Sequence, residues 1–177
     1  MAVLIEAVSV VIRLKTIADK YPGGVDQYIK DCPNWTLCVD EEIVRVGFMS
    51  TYDAFDFIGS LERLGFTCIV DGELDEIAIV DQFNGIILPC DWLDCLNVVI
   101  FKGDIRVLVC QIMGGEIKAI ALPQGWAYEN SLSKQTIVMD PVGWNSRMTF
   151  IRHENGLDFY LNTITGQEMY VGRTGES

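Results

Sequence analysis

The sequence predicts an α+β protein, with an N-terminal ferredoxin-like β-α-β-β-α-β plait followed by a β-rich antiparallel meander. Three observations favour this class. The chain opens with a β-branched apolar segment, its clearest helical patterns fall before residue 66, and its second half consists of apolar runs separated by glycine turns. Half of the 177 residues are hydrophobic and 21% are charged, so the chain has ample material for a folded core.

The first strand and the first helix of the plait are predicted close to the N-terminus. Residues 3–12, VLIEAVSVVI, are apolar on both faces, which is typical of a central strand covered on two sides. A helical stretch follows from about Leu14 to Tyr21. The PGG sequence at 22–24 breaks this helix, and the pattern resumes over 25–31.

The remaining plait elements follow in order. Residues 36–49 indicate two strands around a tight acidic turn. Ser50 is a good helix N-cap, with Asp53 three residues later as a variant of the capping box. Gly65 stands where a C-terminal cap belongs, and the segment 66–70, FTCIV, indicates the last strand.

The second half of the chain is predicted to be mostly strand. Three apolar runs within 96–122 indicate a meander, 122–135 is expected to be a polar connection, and 147–173 indicates three more strands. We therefore expect a ferredoxin-like α+β unit over 1–85 and a β-rich unit over 86–177. One continuous domain stays open, because no linker-like composition marks the boundary.

The negative charge of the chain is concentrated in its middle. The net charge is −12, and residues 31–101 carry fourteen acids against only Arg45 and Arg63. Such a surface repels phosphate backbones, so nucleic acid is not an expected partner, and no apolar run is long enough for a membrane span. The expected partner is a protein or a small-molecule ligand, cationic if the acidic face is used. A homo-oligomer and a merely solvated acidic surface stay open.

The N-terminal segment does not fit a signal peptide. It has no basic region before the apolar stretch, and Glu6 interrupts that stretch. We therefore expect a cytoplasmic protein in which all six cysteines are reduced thiols.

The segment 89–95, PCDWLDC, has the densest set of reactive side chains. Its thiols, Cys90 and Cys95, lack the C-x-x-C spacing of redox motifs and zinc sites. We expect a connection between strands with the indole in the core and the carboxylates in water. The segment is nevertheless the predicted place for ligand or partner binding, through Asp91, Trp92 and Asp94.

Two residues are weak catalytic candidates. His153 is the single histidine, so any thiol–imidazole pair must use it, and Cys90 is its natural partner. The ENG turn after His153 favours an ordinary hairpin residue instead. A small hydrolase- or transferase-like enzyme using Cys90 or the carboxylates of 89–95 is the alternative to a non-catalytic binding protein.

Glu6 is a further candidate for ligand or partner binding. It lies in a segment that is otherwise apolar on both faces, so it is at risk of burial without a partner. Arg13, Arg45 or Lys15 could supply that partner. The result is either a structural ion pair or one wall of a ligand pocket.

Metal and cofactor motifs are not expected. Residues 71–76, DGELDE, resemble the start of a calcium loop, but Glu76 and Gln82 stand where that loop requires Gly and Glu. No phosphate-binding glycine loop is present in the sequence. We expect a polar hairpin turn at 71–76 and no bound metal or cofactor.

The C-terminal strands carry one family resemblance. Residues 159–170, FYLNTITGQEMY, resemble the second half of a WW domain, and the segment ending at Trp144 is similar to the entry of that family. The resemblance implies that Phe159 and Tyr170 occupy the positions that clamp a proline-rich segment. The chain departs from the family in its longer first hairpin, in having Tyr170 rather than Trp, and in lacking a closing proline. We interpret the likeness as a pattern shared by three-stranded meanders.

Overall fold

The chain is a mixed α+β protein, as predicted. The computed structural model describes residues 1–100, 105–139, 148–155, 157–162 and 168–172. The predicted turns at Lys102–Gly103 and Thr165–Gly166, and the WW-like entry residue Trp144, lie outside these ranges.

The described elements are as follows. The strands are β1 (Ala2–Ile5), β2 (Val8–Arg13), β3 (Cys38–Val39), β4 (Ile43–Phe48), β5 (Ile69–Val70), β6 (Glu73–Leu74), β7 (Ile77–Asp81), β8 (Gly85–Ile86), β9 (Leu93–Ile100), β10 (Ile105–Ile112), β11 (Ile120–Ala121), β12 (Met148–Glu154), β13 (Leu157–Asn162) and β14 (Glu168–Gly172). The helices are α1 (Leu14–Lys20), α2 (Gly24–Asp31), α3 (Thr51–Glu62) and α4 (Leu132–Met139), with a 3-10 turn at Tyr128–Asn130.

The larger sheet has five strands in the order β3-β4-β2-β7-β8, and all neighbouring pairs are antiparallel. The predicted acidic turn joins β3 to β4. Asp40 Oδ1 closes this turn by accepting the backbone N–H groups of Glu42 and Ile43, each at 2.7 Å. Helix α1 packs against β2, and α3 packs against β2 and β4.

The second sheet has four strands in the order β11-β1-β10-β9. Strand β1 lies between β10, with which it is antiparallel, and β11, with which it is parallel. Cys95 of β9 and Cys110 of β10 are directly opposite and form a disulfide. The expectation that all six cysteines are reduced is therefore wrong for this pair.

The predicted strand over 3–12 is two strands in two different sheets. The chain bends at Ala7, which has a φ of 50°. Gln82 holds this bend, because its side-chain Oε1 accepts the Ala7 N–H at 2.7 Å and its backbone N–H donates to the Ala7 carbonyl at 2.9 Å. The segment is apolar on both faces because β1 is buried in the four-stranded sheet and β2 in the five-stranded sheet.

The local signals for the early helices are confirmed. Ser50 caps α3, since its Oγ accepts the Asp53 N–H at 3.1 Å and donates to the Asp53 carboxylate at 2.9 Å. The predicted break in the first helical stretch separates α1 from α2. It occurs at Gly23 and Gly24, whose φ values of 84° and 70° suit glycine.

Two predictions for the second half are wrong. The expected third strand of the meander, within 116–122, contains only β11, which pairs with β1 rather than with β10. The expected polar connection over 122–135 contains the 3-10 turn and the start of α4. Ser131 supports the start of α4 by accepting the Lys134 N–H at 3.2 Å.

Two smaller β structures complete the described chain. Strands β5 and β6 form the hairpin expected around the acidic segment, with Asp71 and Gly72 at φ values of 51° and 81°. The prediction that 66–70 is the last strand of the plait is wrong, because only Ile69–Val70 is strand and it pairs with β6 outside the five-stranded sheet. Strands β12, β13 and β14 form an antiparallel sheet in which Phe159 is opposite Tyr170. This is the three-stranded meander that the C-terminal pattern predicts.

Both larger sheets contribute to one hydrophobic core. The cluster includes Val10 and Ile79 of the five-stranded sheet and Leu4 and Val109 of the four-stranded sheet. Trp92, which lies just before β9, belongs to the same cluster. The bend at Ala7 is therefore the place where one chain segment crosses between two sheets that share a core.

Candidate binding site

The segment 89–95 is an anchored connection that leads into β9. The Pro89 carbonyl accepts the Leu74 N–H at 2.8 Å, and the Trp92 carbonyl accepts the Met113 N–H at 2.8 Å. Trp92 is buried, with 6% of its surface exposed, and Leu93 is also buried. The backbone bonds and the buried side chains fix the position of the indole.

The polar side chains of the same segment do not converge. Asp91 is exposed, Asp94 is half-buried in β9 opposite Gln111, and Cys90 is half-buried. None of the three side chains has a hydrogen bond or ion pair to the described residues. Of the three predicted binding residues in the segment, only Trp92 borders a described cavity.

That cavity, the Trp92 pocket, has a volume of about 640 Å³. It lies between the end of β2, helices α1 and α2, the β3–β4 turn and the end of β10. Its apolar wall consists of Leu14, Ala18, Val25, Trp92 and Ile112. A cavity of this size is in the range of small-molecule sites, roughly 300–1,000 Å³.

Arg13 forms the polar part of the wall. Its guanidinium carbon lies 4.7 Å from the centre of the Trp92 ring, so the cation is held over the indole face. Arg13 is half-buried, and its side chain has no hydrogen bond or ion pair to any described residue. Its Nε and the Trp92 Nε1 are both buried N–H donors without an acceptor in the described chain. Such donors are costly to leave unpaired.

The other charged residues of the lining are Lys15, Glu41 and Glu42, all of which are exposed. Together with Arg13 they give the pocket two positive and two negative side chains. The Glu42 carbonyl accepts the Leu14 N–H at 2.8 Å and so ties the β3–β4 turn to the start of α1. The pocket is therefore a preformed space with balanced charge, in which the half-buried Arg13 has no acceptor among the described residues.

Glu6 lies elsewhere, in a buried polar network. Its Oε2 is 3.0 Å from Arg45 Nη2, and the two side chains are 1% and 0% exposed. Its Oε1 accepts from Trp126 Nε1 at 2.8 Å and from Ser133 Oγ at 3.1 Å. The Ser133 N–H also points to this oxygen at 3.3 Å, so the carboxylate sits at the N-terminus of α4.

Each of the three nitrogens of the Arg45 guanidinium donates a hydrogen bond, and Nη2 donates to Glu6. Its Nε donates to Ser9 Oγ at 3.1 Å, and its Nη1 donates to the Thr36 carbonyl at 2.7 Å and to Cys38 Sγ at 3.8 Å. Burial raises the pKa of the Cys38 thiol to about 11, although the Arg45 charge acts in the opposite direction. Glu6 and Arg45 have the geometry of a structural ion pair.

The structure does not bring Glu6 to the predicted site at 89–95. Ile5 pairs with Leu108, whereas Leu93 pairs with Ile112. These positions are four residues apart along β10, which corresponds to roughly 14 Å. Glu6 is thus not a wall of the Trp92 pocket.

A second cavity, the Trp35 pocket, has a volume of about 550 Å³. It lies between the segment before β3 and helix α3. Trp35 is 66% exposed, and Phe57, Asp53 and Asp56 face the cavity from α3. Among the described residues that line it, the charged ones are Asp53 and Asp56, and Asp53 is already engaged in capping α3.

The catalytic candidates are not brought together by the described contacts. His153 lies in β12 with its backbone opposite Asp158, and Cys90 packs against the central core. Within the described ranges, no three His, Cys, Asp or Glu side chains are grouped to hold a metal ion. Cys95 is in the disulfide, so it has no free thiol that could bind a metal beside Cys90.

Arg13 is the important site residue that sequence reasoning placed elsewhere. The sequence suggested it as a partner for Glu6, but the bend at Ala7 puts the two residues in different surroundings. The signal in the sequence that could have found its role is the position of Arg13 between a strand and a helix. Its contact with Trp92 is visible only in the structure.

No protein-family model, curated protein or solved structure matches the chain. None of the helices in the described ranges has the length and apolar character needed to cross a membrane.

Proposed function

We propose that this protein is a non-catalytic binding protein that holds a small molecule in the Trp92 pocket. The observation that carries the proposal is the Arg13 side chain, which is held over the Trp92 ring at the wall of a 640 Å³ cavity and has no acceptor in the described chain. Ligand pockets typically combine an apolar wall with a few fixed polar groups. The Trp92 pocket has both.

Filling the cavity tests this proposal. Ala18 is an exposed residue of α1 that lines the pocket, so Ala18→Trp occupies the space without replacing a core side chain. Asp19→Trp adds the same indole to the next, exposed position and serves as the control. In a thermal-shift screen of small acids, amines, amides and nucleotides, we expect compounds that raise the melting temperature of the wild type and of Asp19→Trp, but not of Ala18→Trp. A compound set that stabilises Ala18→Trp equally would contradict the proposal.

We also propose that β2, β3, β4 and β7 form a ferredoxin-like plait with α1, α2 and α3. The support is the strand order β3-β4-β2-β7, in which the first strand of the unit is central. The helices connect β2 to β3 and β4 to the strands that follow it. An experimental structure with another strand order would contradict this assignment.

A cytoplasmic location and a cationic protein partner remain proposals of the same kind. The partner is supported by the acidic middle of the chain, with fourteen acids between residues 31 and 101. The Cys95–Cys110 disulfide argues against this location, because reducing compartments disfavour disulfides. Mass spectrometry of the protein alkylated inside its native cells tests the location, since a cytoplasmic protein is expected to yield both cysteines alkylated.

A further inference from the structure

We infer that the ligand of the Trp92 pocket is a monocarboxylic acid with an apolar body, whose carboxylate is bound by Arg13. This inference rests on the proposed function and names the ligand class for the same site. The Arg45 guanidinium has acceptors within the protein, whereas the Arg13 guanidinium has none among the described residues.

The guanidinium of Arg13 has donors available for an anionic acceptor. It carries five N–H donors in a planar fork that matches a carboxylate, and no described residue accepts from any of them. Its Nε is shielded from solvent, so a ligand approaches the two terminal nitrogens. The indole beneath the cation restricts the position of the guanidinium, which lowers the entropy lost on binding.

The charges around the pocket favour a single negative charge on the ligand. Lys15 adds one positive charge to that of Arg13, while Glu41 and Glu42 add two negative ones. A dianion such as a phosphate monoester would meet both carboxylates, with only the exposed Lys15 as a second cation to offset them. A carboxylate needs only the Arg13 fork.

The rest of the wall selects an apolar body. Leu14, Val25 and Ile112 are half-buried aliphatic residues that line the cavity beside Trp92. An aliphatic or aromatic group in contact with them is removed from water, which contributes about 25 cal/mol for each Å² of apolar surface. A small polar acid would leave this part of the pocket without a partner.

Matched ligands test the inference on the wild-type protein. We propose isothermal titration with octanoate, octanamide, octylammonium and octyl phosphate, which share one chain and differ in the head group. Octanoate is expected to bind most tightly, and octanamide roughly 10- to 100-fold more weakly, because a hydrogen bond to a charged group contributes more than a neutral one.

Variants then assign the head-group site. Arg13→Gln is expected to remove most of the preference for octanoate over octanamide, and Arg13→Lys to keep part of it, since lysine retains the charge without the fork. Lys118 is far more exposed than Arg13 and, among the described residues, pairs only with Glu116, so Lys118→Gln is the control and is expected to bind like the wild type.

The outcomes separate the two proposals. Binding of the amide or the ammonium compound as tightly as octanoate, abolished by Ala18→Trp, overturns the carboxylate inference and leaves the binding function standing. Tighter binding of octyl phosphate than of octanoate also overturns the carboxylate inference and leaves the binding function standing. Absence of binding by all four compounds, together with no stabilising compound in the thermal-shift screen, overturns both. The ranking of the four head groups uses only the wild type, so a variant that fails to fold does not weaken the test of the carboxylate inference.

Discussion

Two arginines in this protein show how the surroundings of a guanidinium separate a structural role from a binding role. Arg45 is fully buried and donates to Glu6, Ser9 and Thr36. Arg13 is half-buried over Trp92 and donates to none of the described residues. A buried cation whose nitrogens all donate within the protein holds the fold together, whereas one with free donors at a cavity is available to a ligand.

The first prediction concerns the buried charge pair. Glu6→Gln removes the negative charge but keeps the shape of the side chain, so Arg45 is left buried without a counter-charge. We expect a loss of about 3–5 kcal/mol in the free energy of unfolding, measured by urea denaturation at neutral pH. The control is Glu116→Gln, which breaks an exposed pair with Lys118 and is expected to change stability by less than about 0.5 kcal/mol. Equal effects of the two variants would show that the buried pair does not stabilise the fold.

The second prediction concerns alkaline pH. Burial raises the pKa of the Cys38 thiol from 9.0 to about 11, so the folded protein keeps this proton where the unfolded chain loses it. The stabilising contribution is complete below pH 9.0 and is lost as the pH rises towards about 11. In that interval Cys38 lowers the free energy of unfolding by about 1.4 kcal/mol per pH unit. Cys38→Ala is expected to show a shallower decline in urea titrations than the wild type, while Ser60→Ala follows the wild type. Identical slopes for Cys38→Ala and the wild type would contradict the raised pKa.

At the scale of residues, the sequence predicted that a buried carboxylate requires a cation, but it did not predict which residues surround that carboxylate. A carboxylate in the apolar N-terminal segment had to find a cation, and Arg45 was one of three named possibilities. The hydrogen bonds from Trp126 and Ser133 come from more than 100 residues away. No local pattern contains such contacts, because tertiary folding alone brings them together.

At the scale of elements, local chemistry predicted what begins and ends within a few residues. The Ser50 cap of α3, the Asp40 turn and the glycine break between α1 and α2 are all set by neighbouring backbone groups. Helix α4 was missed because its first turn is polar and its N-terminus is supported by the distant Glu6. The division of the first predicted strand into β1 and β2 was missed for a similar reason, since Gln82 holds the bend.

The third prediction belongs to the pair of strands β9 and β10. The Cys95–Cys110 disulfide closes a loop with a sequence separation of 15 residues and restricts the unfolded chain. A loop of that length corresponds to about 3 kcal/mol of stabilisation in the chain-entropy description. We expect the double variant Cys95→Ser/Cys110→Ser to lose about 2–4 kcal/mol, measured by urea denaturation without reductant.

Reductant provides the internal check for the disulfide. Dithiothreitol is expected to lower the stability of the wild type and of Cys90→Ser, and to leave the double variant unchanged. A wild type that is insensitive to reductant, with two additional free thiols by mass spectrometry, would show that the pair is not oxidised.

At the scale of the whole molecule, the N-terminal segment connects the two larger sheets. Strand β1 belongs to the sheet formed with residues 93–121, while β2 belongs to the sheet formed with residues 38–86. The Glu6 network adds a second connection, because Glu6 contacts Arg45 of β4 and Ser133 of α4. We propose on this basis that the two predicted units, 1–85 and 86–177, unfold together.

The last prediction tests this coupling by placing one cavity in each sheet. Val109 of β10 is buried opposite Leu4, and Val80 of β7 is buried opposite Ser9. Val109→Ala and Val80→Ala each remove two buried methyl groups, at a cost of about 2 kcal/mol. If the sheets form one cooperative unit, either variant accelerates hydrogen exchange of the slowest amides in both sheets by the same factor, roughly 30-fold. If the chain divides near residue 85, Val109→Ala leaves the protection of β4 and β7 unchanged, because the five-stranded sheet then opens independently of β10.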